Sequence, residues 1–115
     1  MELNELFKAV IDADDQPVVI CDLSHTIVYM NPTAIMRYHK RGGKDLIGKS
    51  LMDCHNERSR GIILSIVENF KSDPSLTKVY TYTRHMEDGD VRNYIVALRN
   101  DSGELIGYYE KKEKV

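Results

Sequence analysis

The stretch Cys21–Pro32 reads CDLSHTIVYMNP, and LIGKS follows it at residues 46–50. In order, these residues predict a strand, a turn, a returning strand, the start of a helix, and a glycine turn before a second helix. Asn31 can accept a hydrogen bond from a free N–H of the first helix, and Pro32 suits the first turn of that helix. Gly48 is expected to take a positive φ. The two motifs therefore predict a domain that mixes helices and strands.

The residues before the second strand predict an amphipathic helix and a buried strand. The helix covers residues 2–11, and Pro17 disfavours helix at the residue before it. Val18–Cys21 is apolar and mostly β-branched, which is typical of a strand buried on both faces. The apolar stripe of the helix consists of Leu3, Leu6, Phe7, Val10 and Ile11.

The residues after these motifs predict one long helix and three strands. The helix begins at Asn56, and Pro74 follows its end. Its apolar face consists of Ile62, Ile63, Ile66, Val67 and Phe70. The strands cover residues 78–85, 91–99 and 104–110, and residues 111–115 form a charged tail.

Strict alternation predicts which side chains share a face of these strands. It places Tyr80 and Tyr82 together on one side of the first of the three, and Leu105 and Tyr109 together on one side of the last. His25 lies in the first hairpin turn and is expected to be solvated.

Composition predicts one soluble domain over residues 1–115, with a flanking helix at 1–12 and a core at 16–112. Its 16 basic and 18 acidic residues are well mixed, and the net charge is -2. No like-charge block suggests nucleic acid as a direct partner. No apolar stretch approaches the roughly 20 residues that span a bilayer, and the first residues do not resemble a signal peptide. A cytoplasmic location without membrane contact is the expectation.

The order of these elements resembles the PAS family of sensory domains, from about Gln16 to about Lys112. The resemblance implies an α+β fold, in which a five-stranded antiparallel sheet of order 2-1-5-4-3 carries helices on one face. It also implies a non-catalytic module that binds a small ligand or a partner. Such a module regulates a kinase, a cyclase or a transcription regulator, in the same chain or in another. The resemblance does not specify the ligand.

The outer face of the predicted sheet also carries apolar side chains. Tyr94, Val96 and Leu98 lie on one side of the fourth strand, and Ile95 and Ala97 on the other. In a sheet with one solvent-exposed face, apolar and polar side chains alternate more strictly than they do here. We therefore expect a homodimer that uses the N-terminal helix and the outer sheet face, as PAS domains commonly do.

The family's pocket lies between the helices and the sheet. The residues that we predict near it are His55, Tyr29, Ile63, Ile66, Val67 and Asn93.

Two charged segments allow more than one interpretation. Asp53–Glu57 contains Cys54 and His55, but structural zinc needs about four ligands and no second Cys or His cluster exists. The segment is either a helix-entry loop capped by Asn56 or a pocket wall. The basic run Arg37–Arg41 either binds an anion or forms a basic surface helix.

Cofactor-binding and catalytic alternatives depend on single positions. In the light-sensing flavin branch of the family a cysteine stands where this chain has Leu51, so covalent flavin chemistry is not expected. In the heme branch a histidine stands where this chain has Gly61, although His55, His39 or His85 could substitute. A small α+β enzyme would use His55 or His85 with an aspartate as an acid–base pair.

Overall fold

The computed structural model describes all 115 residues as three helices, five strands and three short 3₁₀ turns. The helices are α1 (Leu3–Asp12), α2 (Pro32–Arg37) and α3 (Glu57–Ser72). The strands are β1 (Val18–Asp22), β2 (Ile27–Met30), β3 (Lys78–Met86), β4 (Gly89–Arg99) and β5 (Leu105–Lys114). The 3₁₀ turns are His39–Arg41, Gly43–Leu46 and Leu51–Cys54. No helix combines the length and the apolar character needed to cross a membrane.

The five strands form one antiparallel sheet in the order β2-β1-β5-β4-β3, which confirms the predicted order. The core lies between the inner face of this sheet and α2, the 3₁₀ turns and α3. It contains Val19, Cys21, Ile27 and Met30 from β1 and β2, Ala34, Leu46 and Leu51, the α3 residues Ile63, Ile66, Val67 and Phe70, and Ile95 and Tyr108.

Helix α3 buries a narrower face than the sequence pattern predicted. Ile63 and Val67 are buried, but Ile62 is 44% exposed, so its assignment to the apolar face was wrong. Asn56 caps the helix by accepting a hydrogen bond from the Ser59 N–H. At the other end, the Arg99 guanidinium donates to the carbonyls of Phe70 and Leu76 and joins the helix end to β4.

Asn31 connects four parts of the chain through its buried side chain. Its Oδ1 accepts from the Ala34 N–H, which is the predicted helix cap, and from the Val18 N–H of β1, both at 2.9 Å. Its Nδ2 donates to the carbonyls of Gln16 and Ile11. One side chain therefore ties α2 to β1 and to the segment that leads out of α1.

The free edge of β2 is covered by backbone from the Gly48 turn. The Gly48 N–H donates to the Ile27 carbonyl at 2.7 Å, and the Ile27 N–H donates to the Lys49 carbonyl at 2.9 Å. Gly48 takes φ 94°, as predicted. Because an uncovered strand edge offers unpaired N–H and C=O groups to other chains, this turn also closes one side of the sheet.

Gly48→Val is expected to lower the free energy of unfolding by about 1–3 kcal/mol, because a β-branched residue is strained at a positive φ. No other atom lies within 4 Å of the position that a Cβ would occupy, so crowding contributes nothing. Gly48→Asn should lose less, since asparagine tolerates this backbone region. Chemical denaturation of both variants is the measurement, and equal stability of the valine variant and the wild type would contradict the prediction.

Bulges in β3 and β5 overturn two predicted faces. The β3–β4 register shifts between Tyr80 and Tyr82. Tyr80 therefore packs edge-on against Tyr94 on the outer face, whereas Tyr82 points to the inner face. In β5 the register shifts opposite Leu98 and Arg99. Leu105 therefore packs against the core on the same side as Tyr108, and not on the side of Tyr109.

The predicted charged tail is part of the sheet. Strand β5 continues to Lys114, and Lys112 pairs with Asn93 of β4 in the middle of the register. Lys78 and Glu113 form an ion pair across the outer face at 2.8 Å. Within this segment only Lys111 is paired on both sides, with Val18 of β1 and Tyr94 of β4, and charge alone did not distinguish a strand from a tail.

Helix α1 buries none of its residues in the protomer. Leu3, Leu6, Phe7 and Val10 are 46 to 72% exposed. The helix end is held by a hydrogen bond from the Tyr29 hydroxyl to the Asp12 carboxylate. The amphipathic stripe is thus left uncovered, and the outer sheet face also exposes Tyr80.

His25 is not solvated as expected, because the β1–β2 hairpin turns it toward the core. It has φ 65°, and its Nδ1 lies 2.8 Å from the hydroxyl of the fully buried Tyr108. Burial lowers the pKa of His25, and repulsion from Lys71 lowers it further. Attraction to Asp22 raises this pKa by a smaller amount. The folded protein therefore favours the neutral imidazole.

Because the folded pKa of His25 lies below its unfolded value, this residue contributes stability that is complete above about pH 6.5 and lost as the pH falls through the folded pKa. We expect the midpoint of thermal unfolding to fall between pH 7.5 and pH 5, and to fall less in His25→Asn. Asparagine tolerates the positive φ and does not titrate. Parallel pH profiles of the two proteins would contradict the prediction.

Candidate functional site: a basic cavity on the inner sheet face

A cavity of about 720 Å³ lies between the inner face of the sheet and the chain from α2 to the start of α3. Sixteen residues line it, and half of them are hydrophobic. The strands contribute side chains from β1, β2, β3 and β5, while α3 contributes only its first turn. The size falls within the range of small-molecule pockets.

The floor of the cavity is apolar and buried. It is formed by Val19, Ile27, Met30, Leu46 and Leu51. These side chains also belong to the main core, so the packing that stabilises the domain shapes the floor. Leu51, which occupies the cysteine position of the flavin branch, is one of them.

The upper wall of the cavity is basic. Arg37, Arg41 and Arg84 are exposed at its mouth, and Lys112 lies deeper. Glu110 is the one carboxylate in the lining. The chain as a whole carries a net charge of -2, so this wall concentrates positive charge that the composition does not reveal.

Lys112 is 6% exposed, which is unusual for a lysine. Its Nζ lies 3.2 Å from both the Tyr38 hydroxyl and the Asn93 Oδ1. Both partners are neutral, and no carboxylate contacts the ammonium. The Asn93 amide is oriented by donating to Thr81 Oγ1 at 2.7 Å, so the site around Lys112 is built by β3, β4 and β5 together.

His55 faces the same cavity from the loop before α3. Its Nε2 lies 3.8 Å from Glu110 Oε1. The loop is held by Arg60, whose Nε donates to the carbonyls of Met52 and His55. Asn56 caps α3 beside it, so the segment is both a helix-entry loop and a pocket wall.

Burial decides the protonation of two further lining groups. It raises the pKa of the Tyr38 phenol and the pKa of the Cys54 thiol above their ordinary values. Both therefore stay protonated at neutral pH. Because a thiol is a much weaker nucleophile than a thiolate, the site favours hydrogen bonding and ion pairing over nucleophilic chemistry.

Of the six predicted pocket residues, His55 lies in the lining. Asn93 does not line the cavity itself, but it contacts the lining residue Lys112. Ile63, Ile66 and Val67 pack in the core along α3, because the cavity sits at the start of that helix. Tyr29 lies on the outer face, where its neighbour Ile20 on β1 also lies, and bonds to Asp12.

Sequence reasoning missed the basic residues of the wall. The run Arg37–Arg41 carried a signal, because anion binding was one of its two interpretations. Arg84 and Lys112 carried none, since Arg84 stands between Thr83 and His85 and Lys112 lies in a segment of mixed charge. Tyr82 was predicted to share a face with Tyr80, and the bulge in β3 puts the two on opposite faces.

The family of the chain follows from a comparison with family models. A model described as the PAS fold matches residues 11–111. The chain belongs to the PAS fold family. No curated protein sequence matches it at a significant level.

Solved PAS structures have the same fold at low identity. A PAS domain from Colwellia psychrerythraea is 15% identical, with a TM-score of 0.71 and coverage of 99% of this chain and 98% of that one. A sensory box sensor histidine kinase from Vibrio cholerae is 11% identical, with a TM-score of 0.66 and coverage of 97% and 91%. The Aer2 receptor from Vibrio cholerae, a dual PAS-heme oxygen sensor, is 16% identical, with a TM-score of 0.59 and coverage of 87% and 94%.

Proposed function

We propose that this PAS domain is a non-catalytic sensory module that binds a small molecule in the inner cavity and works as a homodimer. The observation that carries the proposal is the cavity of about 720 Å³ with an apolar floor and convergent polar groups. Such a pocket is the usual form of a small-molecule site. The site holds no activated nucleophile with an adjacent base, which supports binding over catalysis.

Dimerisation through α1 and the outer sheet face is supported by the apolar area that both leave exposed. Each large apolar side chain buried there contributes roughly 1.5–3 kcal/mol. Helix α1 is about 15 Å long, so it can cover about three strands of a partner's outer face. A change in the cavity reaches this interface through β1 and β5, whose side chains alternate between the two faces.

The output of the module is a partner domain, in the same chain or in another. A sensor histidine kinase and an oxygen-sensing receptor among the structural relatives support this role. We propose a kinase, a cyclase or a transcription regulator as the regulated partner, located in the cytoplasm.

Ligand binding is tested by native mass spectrometry and an absorbance spectrum of the purified protein. We expect a bound small molecule that leaves on denaturation. A Soret band would identify heme, with His55 as the ligand candidate in the lining. A colourless protein that carries no small molecule and binds none from a metabolite extract would contradict the ligand-binding part of the proposal.

Phe7→Glu is expected to raise the dissociation constant of the dimer at least ~10-fold, because it would bury a charge in the interface. Ala9→Glu is the matched control, since Ala9 is exposed and lies about 160° around α1 from Phe7. Neither residue is buried in the protomer, so both variants should fold. Sedimentation equilibrium is the measurement. A wild-type monomer, or equal dissociation constants for the two variants, would show the dimer proposal to be wrong.

A further inference from the structure

Four basic side chains and one carboxylate face the cavity, and the most buried of them, Lys112, has only neutral partners. Burying an ammonium is costly unless an opposite charge compensates it. An anion bound in the cavity would supply that opposite charge.

The rest of the lining restricts the kind of anion. Half of the lining residues are hydrophobic, and the buried floor below Lys112 is entirely so. An inorganic anion would leave this floor in contact with water. A molecule with an apolar body and one acidic group would satisfy both parts of the site.

From this arrangement we infer that the cavity selects organic anions, with the acidic group between Lys112, Arg37, Arg41 and Arg84 and the apolar body on the floor. The inference rests on the proposed ligand-binding function and names the chemical class of the ligand. Tyr38 assists, because its hydroxyl accepts from Lys112 and keeps its own proton to donate to the anion.

Glu110 sets the strength of this selection. Its carboxylate is in the same lining, and its nearest basic partner is His55 at 3.8 Å. It repels an entering anion and partly offsets the basic wall. Removing its charge should therefore strengthen anion binding, whereas removing a basic charge should weaken it.

The test compares three acids with their uncharged amides: 4-phenylbutyrate, octanoate and benzoate, each against the corresponding primary amide. Dissociation constants are taken from shifts of the cavity resonances in ¹H–¹⁵N correlation spectra of the full chain. We expect at least one acid to bind at least ~10-fold more tightly than its amide. Lys112→Met should remove that difference, and Glu110→Gln should enlarge it with the amide unchanged.

Two further variants keep the result interpretable. Lys71→Met removes an equal charge from an exposed position outside the lining and should leave the preference intact. Arg84→Met provides the same test if Lys112→Met does not fold. Arg84 is exposed at the mouth of the cavity, so its substitution should weaken the preference for acids while the domain stays folded.

The outcomes separate the inference from the proposed function. Equal binding of acids and amides, or a preference that survives both Lys112→Met and Arg84→Met, would overturn the anion inference and leave a ligand-binding cavity. If no member of either series shifts the cavity resonances, the anion inference and the ligand-binding function both fail.

Discussion

Asn31→Ala is expected to lower the free energy of unfolding by about 3–5 kcal/mol. The side chain is 0% exposed. Its removal leaves the N–H groups of Val18 and Ala34 and the Gln16 carbonyl without their partners. Each buried group left unpaired costs about 1–3 kcal/mol.

Asn56→Ala is the matched control for this prediction. Asn56 caps α3 with the same geometry at the same 2.9 Å, but it is exposed and its side chain makes no second hydrogen bond. We expect a loss of about 1 kcal/mol, as for an ordinary helix cap. Urea denaturation of both variants measures the difference. Similar losses would mean that Asn31 acts only as a cap.

Gly107→Ala is expected to lower the free energy of unfolding by about 3 kcal/mol, near the upper end for overpacking. A Cβ at this position would lie 2.5 Å from the carbonyl oxygen of Cys21 on the neighbouring strand. That oxygen is part of the backbone of β1, which is paired with β5, so it cannot move aside as a flexible side chain would. The strands β1 and β5 must separate locally to admit the methyl group.

Gly61→Ala makes the same chemical change where space is available. Gly61 lies inside α3, and apart from the adjacent turns of that helix no atom is within 4 Å of its added Cβ. Alanine favours helix over glycine by up to about 1 kcal/mol, so this variant should be more stable than the wild type. Thermal and urea unfolding of the pair is the measurement. A loss in Gly61→Ala, or none in Gly107→Ala, would contradict the structural reason given for each.

The candidate site was only partly predictable, because its residues come from distant segments. His55 was found because its loop combines several reactive residue types and precedes a capped helix. Ile63 and Val67 were selected on the expectation that the pocket follows α3, but their side chains are used for core packing. The position of a cavity depends on where packing stops, and no local pattern contains that information.

Local sequence determined the kinds of element and their order. The cap at Asn31, the positive φ at Gly48 and the apolar spacing of α3 depend on neighbours in the chain, so the residues themselves predict them. The strand order 2-1-5-4-3 came from the resemblance to the PAS family, and the structure confirms it.

Only the tertiary structure decided which side chains of β3 and β5 face the cavity. A one-residue bulge moves every side chain beyond it to the opposite face of the sheet. The position of the bulge is set by pairing with the neighbouring strand, not by the residue pattern of the strand itself. The bulge in β3 turns Tyr82 inward. The pairing of β5 with β4 buries Lys112, from a segment predicted to be a tail, beside Asn93. Arg84 and Lys112 belong to the basic wall of the cavity because non-local hydrogen bonds fixed that register.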